Sequence, residues 1–236
     1  MIVDDRPGTT RDAVDSRLRF HGRTLILVDT AGLRRRLGSQ PSWEFYATLR
    51  ATRALERADV AVLVLDATES IATQDARIAD KIEQAGAAAL VVVNKWDLIE
   101  KDTGTTGVWV ERIRESMPPL AHAPVEFVSA LTTQRINRLP EGVVRVFESA
   151  RREVTTSQWN EALKEAVDRN PPSSHRGQRP IKIYYATQVR AAPRTVAIFV
   201  SEPARVAPEY LRYLVARFRE AFGFEGSPIR LVLRKS

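Results

Sequence analysis

Hydrophobic and polar positions change their rhythm along this chain, and each change marks an element. Residues 16–21 and 24–28 alternate and are joined at His21-Gly22, the pattern of two short strands. Ala58 to Asp66 and Ala87 to Val93 are nearly unbroken apolar runs that read as buried strands, each ending at a polar side chain. Helical spacing appears over 43–57 and 73–86, where Ile78 and Ile82 lie four apart and Gly86 takes the C-cap position. A helix near 107–116, a strand over 124–129 and a helix near 137–152 follow. Strands alternating with helices of this length imply βαβ units and a mostly parallel sheet with helices on both faces.

The order then changes. After a break near Val154-Thr155-Thr156, Ser157 is placed to cap a helix carrying Trp159, Leu163, Ala166 and Val167 on one face. Pro171-Pro172-Ser173-Ser174 ends it. Strands over 180–189 and 195–201 come next, then a helix over 208–222 and a last strand over 228–234. That helix buries Leu211, Leu214, Phe218 and Phe222 and turns Arg212 and Arg219 to another face. An α-β-β-α-β order is of the α+β kind, so two domains are expected, 1–152 and 153–236.

Charge sharpens this division. The 236 residues carry a net +7. Residues 151–236 hold 16 Lys and Arg against 8 Asp and Glu, a net of +8, and residues 1–150 hold 20 against 21, a net of −1. A basic second half suits a nucleic-acid-facing module, with an Arg-rich solvated surface as the plain alternative. Hydrophobic content of 44% is ordinary for a globular protein. No apolar run approaches the roughly 18 residues of a membrane span. Asp4 and Asp5 and the lack of an apolar segment after them argue against a secretory signal. There is no cysteine, and His21, His122 and His175 are too scattered for a metal cluster. A cytoplasmic protein is expected.

The chemistry is carried by loops after the strands. Asn94-Lys95-Trp96-Asp97 follows the most apolar strand, where the Asp97 carboxylate can accept two hydrogen bonds from the N1–H and N2–H₂ edge of guanine. Adenine lacks that edge and would leave a charge unpaired. Asp29-Thr30-Ala31-Gly32 follows another strand. There an Asp can hold Mg²⁺ through water, and a Gly N–H can meet a γ-phosphate. Thr10, in a Pro-Gly turn, has a hydroxyl that can complete the Mg²⁺ shell, and the Ser129-Ala130 backbone can face the guanine O6. No G-x-x-x-x-G-K-[S/T] phosphate cradle occurs in the sequence. In the second half Gly223-Phe224-Glu225-Gly226 has the Gly-x-x-Gly spacing of a phosphate clamp, but Glu225 brings a negative charge, so a helix cap and turn is the favoured reading. Arg176, Arg179, Lys182, Arg190, Arg194, Arg212 and Arg219 are the RNA-contact candidates. Trp43, Trp109 and Trp159 read as packing residues.

Taken together, Arg6-Pro7-Gly8-Thr9-Thr10-Arg11-Asp12, Asp29 to Arg36, Asn94 to Asp97 and Ser129-Ala130 resemble the G2 to G5 motifs of the Der (EngA) family of bacterial GTPases. Tyr185-Ala186-Thr187-Gln188 and Arg219 to Arg230 resemble that family's C-terminal KH-like domain. The resemblance implies an incomplete P-loop GTPase (Ras-like) sheet followed by a KH-like domain. It corresponds to the second of the family's two GTPase domains, without its first strand, P-loop and first helix. It further implies GTP hydrolysis in late assembly of the large (50S) ribosomal subunit, with GTP or GDP, Mg²⁺ and, as in several members, K⁺. By motif, Thr10 and Asp29 would serve Mg²⁺. Thr30, Ala31, Gly32 and Leu33 would line the phosphate side. Asn94, Lys95, Trp96, Asp97, Ser129 and Ala130 would line the base. Leu33 stands where Ras-like enzymes carry a water-orienting Gln, so no catalytic residue is assignable. A missing phosphate cradle removes four or five charge-assisted hydrogen bonds of about 1.5–3 kcal/mol each. This chain alone is therefore expected to bind nucleotide weakly or not at all, and loss of a central strand would expose sheet edges. The other reading is a non-catalytic RNA- or ribosome-binding fragment. Neither membrane nor DNA is expected as a partner.

Overall fold

The computed structural model describes residues 16–28, 52–172, 179–191 and 193–236. They form two compact units divided between Val143 and Val144. In the first, β1 (Ser16–Phe20) and β2 (Arg23–Leu27) pair antiparallel. His21 and Gly22 both have positive φ, 46° and 76°, as a two-residue hairpin turn of this hand requires. β3 (Val60–Asp66), β4 (Ala88–Asn94) and β5 (Val125–Phe127) form a parallel sheet in that order. Among the described residues the hairpin and this sheet are separate.

The apolar run of β4 is explained by cover on both faces, as parallel sheets require. Ala89, Val91 and Val93 pack with Ile78, Ala79 and Ile82 of α1 (Thr73–Ala85) and Trp109 and Ile113 of α2 (Thr105–Ser116). Leu90 and Val92 pack on the other face with Val128, Leu139 and Val143, the last two from α3 (Arg138–Arg151). Gly142 lets α3 come close, since a Cβ there would lie 3.3 Å from a Leu90 methyl. α1 begins where the Asp75 carboxylate accepts from the Ala72 N–H at 2.9 Å and ends at Gly86, φ 72°. Residues 52–57 are helical; the rest of the helix expected over 43–57, with Trp43, lies outside the described residues. β5 is shorter than expected because the Ser129 N–H turns to the Gln134 carbonyl at 3.0 Å.

The second unit holds α4 (Thr156–Arg169), β6 (Ile183–Arg190), β7 (Arg194–Val200), α5 (Pro208–Phe222) and β8 (Ile229–Lys235). β7 is central, antiparallel to β6 and parallel to β8. Its core gathers on Trp159, whose ring meets Phe218 at 5.0 Å, Phe222 at 4.9 Å and Phe224 at 5.8 Å. The cap of α4 is Thr155, not Ser157. Thr155 Oγ1 accepts from the Gln158 N–H at 3.3 Å, and Gln158 Oε1 accepts from the Thr155 N–H at 3.0 Å. A reciprocal pair satisfies two donors, which a lone Ser two residues later cannot match.

Candidate functional site

The first site grows from the ends of β3 and β4, which stop level because Asp66 pairs with Asn94 in the ladder. The chain leaves β4 through Lys95 in the left-handed region, φ 61°, and enters a 3-10 turn over Trp96–Leu98. That reversal sends neighbouring side chains opposite ways. Trp96 turns inward, 4.4 Å from the Phe127 ring and 6.1 Å from Trp109. It belongs to the core, which corrects its placement among the base-lining residues.

Asn94 reaches across 36 residues of chain to accept the Ala130 N–H on Oδ1 at 2.9 Å. The two loops expected to flank guanine are thus brought together and tied. Ser129 is fully buried and holds the second loop from within, its Oγ accepting from the Thr132 N–H at 3.1 Å. Leu131 beyond it is 87% exposed. Sequence reasoning missed Asp66, whose carboxylate receives Lys95 Nζ at 2.7 Å and the Thr68 N–H and Oγ at 2.9 and 2.7 Å. Burial opposes its ionisation, but the hydrogen bonds from Lys95 and Thr68 outweigh it and hold the carboxyl at about 2. The available signal was an acid ending a buried strand.

Asp97 is different. Its Oδ1 is buried and has no hydrogen-bond partner. An unpaired buried carboxylate oxygen is costly, so its presence at the mouth of two tied loops is the mark of a group that awaits a donor. The N1–H and N2–H₂ edge of guanine supplies such donors, so the residues present fit the base. Thr10, Asp29, Thr30, Ala31, Gly32 and Leu33, proposed for Mg²⁺ and the phosphates, lie outside the described residues. Among the described residues no group of three His, Cys, Asp or Glu could hold a metal ion, and no helix is long and apolar enough to cross a membrane.

The basic candidates of the second unit separate into kinds. Arg179, Lys182 and Arg190 are exposed, and Arg176 lies outside the described residues. Arg212 is exposed and paired with Glu209 at 2.8 Å. Arg194 is 1% exposed, which removes it from the RNA-contact set. Its guanidinium donates to the carbonyls of Arg152 at 2.7 Å and of Ser149 and Ala150 at 3.1 Å, capping the end of α3, and lies 3.7 Å from the Phe224 ring. Burial, then repulsion from Arg152 and Arg219, lowers its pKa to about 10. Arg219 donates to the carbonyls of Phe224 and Ser227, at 2.7 and 3.1 Å. The Gly223–Gly226 turn is closed: Phe224 is buried in the core, and Glu225 pairs with Arg145 at 3.1 Å.

Known families match two separate parts of the chain. The family model for the KH-domain-like C-terminal part of EngA bacterial GTPase enzymes matches residues 153–234. A model for a 50S ribosome-binding GTPase matches residues 1–95. The fold resembles crystal structures of Era, one with MgGDPNP and nucleotides of 16S ribosomal RNA, TM-score 0.52 at 20% identity over 99% of this chain and 83% of that one. Another, a variant of Aquifex aeolicus Era bound to GDP·AlF4⁻, has a TM-score of 0.53 at 21% identity, covering 99% and 84%. The architecture is thus that of the Ras-like GTPases, followed by a KH-like domain. Among curated proteins the chain is 47% identical to GTPase Der of Moorella thermoacetica and 46% identical to that of Listeria monocytogenes. Each match covers all of this chain and 53% or 54% of the relative. Over its whole length the chain is similar to GTPases of the Der (EngA) family, and it spans about half the length of the curated relatives it matches.

Proposed function

We propose that this chain carries the guanine-reading part of a GTP-hydrolysing domain, residues 1–152, and a KH-like domain, residues 153–236, of a GTPase acting in assembly of the large ribosomal subunit. The buried, partnerless Oδ1 of Asp97 carries this reading. Asp97 accepts from guanine, Asn94 fixes the second loop through Ala130, and the Lys95 stem covers the base. Thr10 and Asp29 would hold Mg²⁺, and Gly32 would meet the γ-phosphate. A bound Mg²⁺ would neutralise charge on the phosphates, and water attacking the γ-phosphorus would break its bond to the β–γ bridging oxygen, leaving GDP and inorganic phosphate. Leu33 orients no water, so another group or a cation such as K⁺ does so. With no Gly-rich Lys loop in its sequence, the polypeptide as it stands binds nucleotide weakly. The similarity to GTPase Der and to a family of 50S ribosome-binding GTPases supports the hydrolytic and ribosomal parts of this reading.

Fluorescent GDP and xanthosine diphosphate binding, with Mg²⁺, tests it. The chain is expected to prefer GDP. Asp97→Asn is expected to reverse that preference by at least about a hundredfold, since an amide can donate to the second carbonyl of xanthine where guanine carries an amine. Binding that ignores both the base and Asp97, or no binding by either protein, would overturn the guanine reading and leave the RNA-binding fragment as the better one.

A further inference from the structure

The outer face of the β6–β7–β8 sheet has a composition unlike the rest of its unit. Its outward positions carry Arg190, Arg230 and Arg234, and the three strands hold not one acid; Arg194 and Lys235 pair with the core-facing Ile229 and Val200. All eight acidic residues of 153–236 lie in α4, α5 or the connections. Ala186, Val196, Ile198 and Val200 face the core, so by strand alternation Tyr185, Thr187, Thr195 and Phe199 face away. Register shifts at both ends of β6, an edge strand, leave Tyr184 without a ladder partner. Tyr184 and Tyr185 are 50% and 42% exposed.

The cross-strand register assembles rows. Tyr185 pairs with Phe199, and Phe199 with Arg234. Two residues along, Thr187 pairs with Ala197 and Ala197 with Val232; beyond that, Thr195 pairs with Arg190 and Arg230. The Tyr185 and Phe199 rings are stacked, centroids 4.3 Å apart and planes 12° apart. Tyr185 is on the edge strand, so its second ring face is turned from Phe199 toward the open side of the sheet. A planar base continues such a stack, and the guanidinium groups of the neighbouring rows suit phosphates.

We propose that this sheet face is a stacking platform for single-stranded RNA, with Tyr185 and Phe199 receiving bases and Arg190, Arg230 and Arg234 facing the backbone. The choice of RNA rests on the ribosomal reading above. The platform lies on the sheet and not on the Gly223–Gly226 turn, which is filled by Phe224 and closed by the Arg145–Glu225 pair.

The test is fluorescence anisotropy of the full chain with a labelled oligouridylate at low salt. Wild-type protein is expected to bind; Tyr185→Leu is expected to weaken binding about tenfold, the loss of one stacked base, and Tyr185→Phe to retain it. Arg234→Gln is expected to lower the slope of log affinity against log salt by about 0.7, one phosphate contact on a single strand. Melting temperatures of the variants check that the fold survives. The proposal is overturned if wild type does not bind the oligonucleotide, or if Tyr185→Leu binds as wild type. It also falls if a blunt RNA duplex or oligodeoxythymidylate binds equally well, or if Tyr185→Leu instead abolishes self-association of the protein. Co-sedimentation with large ribosomal subunits separates the two levels. Tyr185→Leu protein that binds oligouridylate as wild type and still sediments refutes the platform and leaves the ribosomal reading standing.

Discussion

Two loops of this molecule look alike as motifs and behave oppositely in the fold. Asn94–Asp97 and Gly223–Gly226 each follow a regular element, and each has the spacing of a ligand-binding turn. In the first, one carboxylate oxygen is buried and left without a partner. In the second, the middle residues are consumed by the protein itself: Phe224 packs under the Arg194 guanidinium, and Glu225 takes Arg145. What separates a site from a structural turn is therefore the state of its polar groups. A fold satisfies most of its buried donors and acceptors; the open oxygen of Asp97 points to a ligand because it lies in a motif loop tied at the end of a strand, whereas the Arg194 Nε, also without a partner, is enclosed in the core.

This contrast can be broken in order of effect. Phe224→Ala removes a core ring and the platform under Arg194, and is expected to cost about 3–5 kcal/mol in urea unfolding followed by circular dichroism. A loss under about 1 kcal/mol would mean that the turn is not part of the core.

Asp66→Asn is the middle case. The folded carboxyl titrates at about 2, below its unfolded value of 3.8. Its contribution is therefore complete above about pH 4 and is lost as pH falls toward 2. Lys95 is half exposed, so the effect is roughly 1 kcal/mol. Stability measured across that window should fall less steeply in the variant than in wild type.

Asp97→Asn should have the smallest effect on folding. Its orphan oxygen contributes no bond to lose, so stability should stay within about 0.5 kcal/mol of wild type or rise slightly, although the same substitution is the one expected to switch the base. A large destabilisation would show that Asp97 is a structural residue and erase the contrast.

Much of the architecture was legible in order and type. The uninterrupted apolar run of β4 could only be a strand covered on both faces, and Gly86 could only end α1. Asn94 and Asp97 stood out as candidates because a short motif follows that strand. Other features depended on partners distant in sequence. Nothing local distinguishes Arg194, buried at the start of β7, from Arg190 in the open, because the carbonyls it caps lie more than 40 residues earlier. Nothing near Asp66 announces Lys95. Trp96 sits inside the motif but faces the core, since the positive φ of Lys95 turns the chain between one residue and the next.

The Asn94–Ala130 hydrogen bond has a practical consequence. It commits the backbone proton of an otherwise exposed loop residue to a side chain 36 positions away. That proton exchanges with solvent only when the two loops part. The Ala130 amide is thus a built-in reporter of pocket integrity. Its hydrogen–deuterium exchange measures how often these two loops separate, with no nucleotide, label or substitution required.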